Sequence, residues 1–275
     1  MAEKVKAEPR SCSVLGKRRS KSQTKESMVE KVKANPRNSQ WKRLRQVPDD
    51  HDQPAEDEPH PRGRDPLPLD ARIAVLPMRG GGGTQTKVYK KTRERLQGII
   101  GPDNEVIELN VTSKTADDEL RQLSPFYPVG DIPIDRFVPD LKGETSESVE
   151  GLWQGLKVFE KADHDPTKFT IKDMKNLKRT SRKFGRVLGH YQGPTESYLN
   201  YADARRHLYI PLYRWVLSNR VKPIVESRIV KEIMKGNAII FRDFNTNGDP
   251  DVPKVLSHAQ VLKQYAIELA SESLP

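Results

Sequence analysis

Hydrophobic and polar positions follow strand and helix spacings only from about residue 70 onward. Residues 73–76 form a short apolar run typical of a buried strand, and residues 87–96 have the spacing of an amphipathic helix. Residues 106–111 predict a second strand. A strand, a helix and a strand at this separation predict a small parallel βαβ unit at the N-terminal side of the domain.

Helical spacing dominates the second half of the chain. Apolar residues recur at helical intervals in four stretches, which we predict to be helices: residues 168–188, 208–217, 223–234 and 257–270. Pro211 is expected to cause a kink or a restart in the second of them, and Gly236 to end the third. Residues 238–241 predict another strand. The predicted fold class is therefore α+β, richer in helix than in strand.

Charge is unevenly distributed along the chain. Its 275 residues carry 48 Lys and Arg against 38 Asp and Glu, a net charge of +10. Residues 1–48 hold 14 of the basic and 4 of the acidic residues, which leaves 34 of each sign in the rest. Residues 49–69 are acidic and rich in proline. We predict a basic disordered tail (1–48), an acidic linker (49–69) and a globular domain (70–275).

The composition bears on localisation and on partners. Cys12 is the only cysteine, so the chain has no internal disulfide framework. No apolar run approaches the ~18 residues of a membrane helix, and no signal-peptide pattern opens the chain. Basic clusters at residues 17–21 and 42–45 are of the type that binds nucleic acid or directs nuclear import. We expect an intracellular protein, nuclear in a eukaryote and otherwise cytoplasmic, without membrane partners.

Metal chemistry receives little support from the sequence. The six histidines show no second ligand at a metal-binding spacing. Residues 243–248 copy the first half of a calcium-binding loop, but Lys254 stands where a bidentate glutamate is needed. We interpret the segment as a polar turn after a strand, where Asp243 and Asn245 are candidates for ligand contact. We predict no metal and no cofactor.

One short segment combines a carboxylate, an amide and an amine. If it is helical, Glu150, Gln154 and Lys157 stand at i, i+4 and i+7 on one face, with Trp153 beside them. Ser148 is a suitable N-cap, and Glu150 lies near the positive end of the helix dipole. From spacing alone, an ordinary solvated helix face explains the pattern equally well.

This segment and two others resemble the NADAR (YbiA-like) family. Residues 148–157 match the family pattern, approximately Thr/Ser-x-Glu-His-x-x-Gln-x-x-Lys, with Gly151 in place of the histidine. Residues 123–128, Leu-Ser-Pro-Phe-Tyr-Pro, are similar to the family's Leu-Ser-Asn-Phe-Tyr-Pro, with Pro125 in place of asparagine. Residues 183–186 match its Leu-Gly-Arg in part, and its Asp-x-x-Trp-Gly near the C-terminus is absent.

The resemblance, which extends over about residues 123–244, implies a NADAR-like domain that cleaves N-glycosidic bonds. The family acts on ribose-linked bases, including removal of ADP-ribose from guanine and hydrolysis of a riboflavin-pathway intermediate. It implies Glu150 as acid and base, Lys157 as a nucleophile that forms a Schiff base with the opened sugar, and Gln154 as an orienting group. The candidate substrate-binding residues are Phe126, Tyr127 and Trp153 for stacking, Arg179 and Arg186 for phosphates, and Asp243 and Asn245 at the last strand.

Two other interpretations stay open. A basic stripe on the predicted helix over residues 168–188, together with the basic tail, would suit a non-enzymatic nucleic-acid-binding protein. A degenerate family member that binds ADP-ribose without turnover is compatible with Pro125 and Gly151. The expected partner is an ADP-ribose-containing or nucleotide substrate, with nucleic acid as a second candidate for the tail.

Overall fold

The computed structural model describes residues 68–78, 83–194 and 198–274, all of which belong to one compact unit. The predicted tail and nearly all of the predicted linker lie outside the described residues. The helices are α1 (Gly83–Ile100), α2 (Asp118–Arg121), α3 (Val149–Gly155), α4 (Ser181–Phe184), α5 (Tyr201–Ala204), α6 (Ile210–Asn219), α7 (Lys222–Val225), α8 (Lys231–Met234) and α9 (His258–Glu272). The strands are β1 (Ile73–Pro77), β2 (Val106–Asn110), β3 (Ile132–Pro133), β4 (Thr145–Ser146), β5 (Lys157–Phe159), β6 (Val187–His190) and β7 (Ala238–Asp243).

A three-stranded parallel sheet with the order β1-β7-β2 forms the centre of the fold. The predicted βαβ unit is present, since α1 connects two parallel strands of one sheet, but β7 lies between them and pairs with both. All six residues of β7 are buried. Ala238 and Ile240 pack on the side of α1, whereas Ile239 and Phe241 belong to the larger core that includes α9. This continuous apolar run is what a strand covered on both faces requires.

The helices predicted over residues 208–217, 223–234 and 257–270 are confirmed. α5 and α6 form one helix, joined by a π turn at Arg205–Tyr209, and α7 and α8 are joined in the same way at Glu226–Val230. Pro211 follows the first π turn and lies in the first turn of α6. Gly236 ends α8 with a φ of +97°, a left-handed conformation that favours glycine. Among the described helices, none is long and apolar enough to cross a membrane.

The helix predicted over residues 168–188 is wrong. After a single 3₁₀ turn at Pro166–Lys168 the chain is irregular, and only α4 is helical before β6 begins. Met174 and Asn176 adopt left-handed φ values of 57° and 56°, which no α-helix tolerates. Leu188 lies on β6, which pairs with β5, and is 42% exposed. The basic residues of this stretch therefore do not share one helical face.

α3 begins as predicted and ends earlier. The Ser148 hydroxyl accepts a hydrogen bond from the Gly151 N–H at 3.0 Å, so the N-cap is confirmed. The helix ends at Gly155, and Lys157 is the first residue of β5, which corrects the expectation of one helical stripe. A Cβ at position 151 would lie 2.7 Å from the Lys168 carbonyl, and one at 155 would lie 2.2 Å from the Phe169 ring. The two glycines thus let a neighbouring segment pack directly against the helix backbone.

Candidate functional site

A cavity of about 410 Å³ lies at the carboxyl end of the central sheet. Thr112 and Ser113, which follow β2, and residues 243–245, at the end of β7, line it. α3 and the α5–α6 helix supply further walls. Parallel sheets commonly bind ligands at this edge, outside the carboxyl ends of their strands. The cavity is therefore the candidate functional site.

A chain of hydrogen bonds connects three polar residues in this cavity. Gln154 Nε2 donates to Glu150 Oε1 at 2.7 Å, and Lys157 Nζ donates to Gln154 Oε1 at 3.1 Å. The backbone N–H of Arg179 also donates to Gln154 Oε1, at 3.1 Å. Because a backbone N–H can only donate, it fixes the oxygen of the amide toward Lys157 and its nitrogen toward Glu150. Gln154 thus holds the carboxyl and the amine in one defined arrangement.

Burial favours the uncharged forms of Glu150 and Lys157, the two ends of this series of hydrogen bonds. Glu150 is only 7% exposed, and burial raises the pKa of its carboxyl against the hydrogen bond from Gln154 and the charge of Lys157. Burial lowers the pKa of the Lys157 ammonium, and the charge of Glu150 opposes that shift. The pair can therefore hold a protonated acid beside a neutral amine nearer to neutral pH than free side chains could.

The two main segments of the family resemblance meet in the structure. The Glu150 N–H donates to the Pro125 carbonyl at 2.8 Å, which fixes the start of α3 against residues 123–128. Phe126 lines the cavity, with Lys178 Nζ 5.6 Å from its ring centroid. Tyr127 does not line it. Of this segment, residues 124–126 therefore reach the cavity.

Aromatic rings surround the indole of Trp153. The ring centroids of Tyr201 and Tyr209 lie 5.7 Å and 5.2 Å from it, both in edge-on geometry. Tyr209 is buried, and burial raises the pKa of its hydroxyl well above 10, so it stays a phenol. The His190 ring packs on Trp153 at 3.8 Å. Tyr201, Tyr209 and His190 thus pack around the indole and support the aromatic wall of the cavity.

Arg205 attaches the α5–α6 helix to the loop that forms part of the cavity rim. Its buried guanidinium donates to the carbonyls of Pro250 at 2.8 Å and Val252 at 2.7 Å, and also to that of Lys254. The same guanidinium lies 4.3 Å from the Tyr201 ring centroid. Residues 255–256, directly after the loop, line the cavity. Arg205 therefore acts on the cavity through the position of its rim.

Asp243 is engaged by the N-terminus of α9. Its Oδ2 accepts a hydrogen bond from the Ser257 hydroxyl at 2.6 Å and lies 3.1 Å from His258 Nδ1. Burial alone would raise the pKa of Asp243, but the bonds from His258, Ser257 and the Phe244 N–H hold it below its usual value. His258 Nε2 faces the Val111 carbonyl at 2.9 Å. Both ring nitrogens thus face oxygen atoms, which holds the imidazole between the Asp243 carboxylate and the Val111 carbonyl.

The remaining predicted site residues lie in different places. Arg179 reaches the cavity wall, but its guanidinium donates to the Lys157 and Asp163 carbonyls at 2.5 Å and 2.6 Å. Arg186 lies outside the cavity, with Nε 3.2 Å from a Glu160 carboxylate oxygen. The cavity residues that we did not predict include Tyr201, Arg205, Tyr209, Phe244 and His258. The sequence gives one indication of them: Tyr201, Arg205 and Tyr209 are spaced by four residues, as on one face of a helix.

The buried His190 is expected to make the folded protein less stable at acidic pH. It is fully buried without a described hydrogen-bond partner at either ring nitrogen, and burial lowers its pKa from 6.5 to about 3. Between those values the unfolded chain binds a proton that the folded one does not. We therefore expect His190 to reduce the free energy of unfolding by up to about 1.4 kcal/mol per pH unit as the pH falls through this window.

Urea unfolding of the protein and its His190→Phe variant at pH 7, 5 and 4 measures this effect, and the variant should lose less stability on acidification. His207→Gln, a change at an exposed histidine, serves as the control. Parallel stability curves for the protein and His190→Phe would contradict the prediction.

Comparison with known protein families and curated proteins places the chain in a family but assigns it no activity. A sequence model described as a family of unknown function (DUF6939) matches residues 89–262 of the chain. The matched span contains every residue that lines the cavity. No curated protein matches the chain. Within the part of the chain that the structure describes, no group of three or more His, Cys, Asp or Glu side chains is arranged to hold a metal ion.

Proposed function

The chain belongs to the DUF6939 family, and we propose that it is an N-glycosidase-type hydrolase that acts on an ADP-ribosylated nucleobase or a related ribosyl-nucleotide. The observation that carries the proposal is the buried chain from Glu150 through Gln154 to Lys157 in an aromatic-walled cavity. An acid and an amine with opposed pKa shifts are what cleavage of a bond between C1 of a sugar and a base nitrogen requires.

The proposed reaction uses the two groups in sequence. Glu150 protonates the departing base nitrogen, while the neutral amine of Lys157 attacks C1 and the C–N bond breaks. The Lys157 nitrogen then loses a proton to Glu150, which passes it to the ring oxygen as the sugar ring opens to a protonated Schiff base. Water adds to C1 and gives a proton to Glu150, and collapse of the adduct to the sugar aldehyde releases the neutral amine of Lys157, so the enzyme returns to its starting state. Gln154 keeps the two groups in register through these steps.

The walls suit a nucleoside. Phe126 and Trp153 present apolar surface for a base, and base–aromatic stacking tolerates any base because each has a π face. Lys178 reaches the same wall and supplies a positive charge for a phosphate. The carboxyls of Glu150 and Asp243 are buried in the cavity lining, whereas Lys178 is exposed.

The nucleic-acid-binding alternative loses one of its two supports. It placed a basic stripe on a helix over residues 168–188, and that helix does not form. Its other support, the basic tail, lies outside the described residues. A binder of ADP-ribose without turnover keeps the same site and differs only in the chemical step.

Hydrolysis by the full chain tests the proposal. A DNA oligonucleotide with an ADP-ribosylated guanine and a free ribosyl-nucleotide serve as substrates, and liquid chromatography with mass spectrometry detects the released sugar. We expect release of ADP-ribose and an unmodified guanine, and equal rates for Lys231→Gln, whose exposed lysine lies outside the cavity. Binding of ADP-ribose without release would establish the non-catalytic binder, and the absence of both would overturn the proposal.

A further inference from the structure

A second aromatic platform lies at the mouth of the cavity. Phe244, directly after β7, is 52% exposed, which is unusual for a phenylalanine at the end of a fully buried strand. Lys114, in the loop after β2, places its ammonium 5.5 Å from the Phe244 ring centroid. Because β2 and β7 are neighbours in the sheet, both residues stand at the carboxyl edge where the cavity opens. The Phe244 ring is therefore presented to solvent beside the candidate site.

A second cavity adjoins the first at this point. It measures about 450 Å³ and shares Phe244, Asn245 and Val255 with the first cavity. Lys254 and Pro77 also line it, and its described lining contains no aspartate or glutamate. The two cavities therefore adjoin at an exposed ring, an amide and an apolar side chain.

The charges of this region are arranged by depth. Lys114 and Lys254 are exposed basic residues of the mouth, and neither forms an ion pair with a carboxylate among the residues that the structure describes. The carboxyls of Glu150 and Asp243 are buried at 7% and 2% exposure. A ligand that spans both cavities would therefore meet an acid and an amine at one end and positive charge at the other.

We propose that the mouth is a second subsite, which binds the distal, phosphate-linked nucleoside of a dinucleotide-type ligand. The distal base stacks on Phe244, and the phosphates lie near Lys114 and Lys254. This inference rests on the proposed function, because that function places the reacting ribose at Lys157. It adds that the substrate extends beyond the reacting sugar. ADP-ribose would contact both the Lys157 end and the Phe244 subsite, whereas a mononucleotide would contact the Lys157 end alone.

Calorimetric titration of the full chain with ADP-ribose and with ribose 5-phosphate tests the subsite. We expect Phe244→Ala to weaken ADP-ribose binding roughly tenfold, in line with the loss of one stacked base, and to leave ribose 5-phosphate unchanged. Phe244→Trp should retain binding. Lys114→Gln should weaken ADP-ribose several-fold at low salt and less at high salt, because an exposed charge is screened.

The controls are Met234→Ala and Lys231→Gln, an exposed apolar and an exposed basic residue of α8 outside both cavities. If Phe244→Ala leaves ADP-ribose affinity unchanged, or weakens both ligands equally, the subsite is overturned while the proposed function stands. If the protein binds neither ligand, the subsite is overturned, and the hydrolysis assay alone decides the proposed function.

Discussion

Replacement of Lys157 by methionine is expected to reduce turnover to background while the protein stays folded. The neutral amine is the nucleophile of the proposed reaction, and methionine has similar length without a lone pair that can attack C1. The fold should tolerate the change because Gln154 keeps its bond from the Arg179 N–H. Without the Lys157 charge, which lowers the pKa of Glu150, burial favours the protonated carboxyl still more strongly, so no unpaired buried charge should destabilise the protein.

Borohydride trapping gives this prediction a second readout. Reduction of the reaction mixture should attach the sugar covalently to Lys157, which peptide mass spectrometry locates. Lys178→Met, which removes the other lysine of the cavity lining, is the matched control and should still be trapped at Lys157. Full turnover by Lys157→Met, or a trapped adduct on another lysine, would contradict the mechanism.

The pH profile of the same reaction follows from the two pKa shifts. Turnover should rise with pH as Lys157 loses its proton, at a pKa below 10.5, and fall as Glu150 loses its own, at a pKa above 4.5. The two apparent values belong to the coupled pair, since each group changes the charge that the other experiences.

Replacement of Glu150 by glutamine is expected to abolish turnover and to raise thermal stability at neutral pH. The glutamine cannot protonate the base nitrogen, but its carbonyl can still accept the bond from Gln154 Nε2. The folded-state pKa of Glu150 is raised, so its contribution to stability is present at low pH and is lost as the pH rises through that value. Each unit of such a shift corresponds to about 1.4 kcal/mol.

Differential scanning calorimetry at pH 4 and pH 7.5 measures the second effect. The gain in melting temperature of Glu150→Gln over the parent should be larger at pH 7.5. Glu94→Gln, on the exposed face of α1, should show little change at either pH. A variant less stable than the parent at pH 7.5 would mean that the ionised carboxylate stabilises the fold, which would contradict the prediction.

Local patterns predicted the elements of the fold better than their arrangement. Apolar runs predicted β1, β2 and β7, and helical spacing predicted the helices after residue 200. The insertion of β7 between β1 and β2 was not predictable, because pairing between strands more than a hundred residues apart leaves no local pattern. Residues 168–188 do not form the predicted helix, although apolar and basic residues there repeat at helical intervals, because the backbone turns left-handed at Met174 and Asn176.

For the candidate site, too, the sequence predicted the residues that lie close together in the chain and not those that distant elements bring together. The sequence predicted the proximity of Glu150, Gln154 and Lys157, although the lysine reaches the amide from a strand and not from the helix. His258 went unpredicted because its partner Asp243 lies 15 residues away and meets it only through the packing of α9 on the sheet. Groups from distant elements converge through tertiary packing, which single-sequence periodicity does not record.

The π turn at Arg205–Tyr209 gives the α5–α6 helix two differently oriented halves. Tyr201, Arg205 and Tyr209 are spaced by four, and in an uninterrupted α-helix the outer two would diverge by about 80° around the axis. The wider π turn reduces that divergence, so all three border the cavity while α6 still packs on α9. The π turn thus accommodates one extra residue. It sets the angle around the helix axis between the face that borders the cavity and the face of α6 that packs on α9. A regular α-helix with the same number of residues would rotate Tyr201 by about 100° relative to the core, whereas deletion of one residue in the turn would restore a regular helix and leave that phase nearly unchanged. The π turn therefore lets the helix carry one more residue without turning Tyr201 away from the cavity.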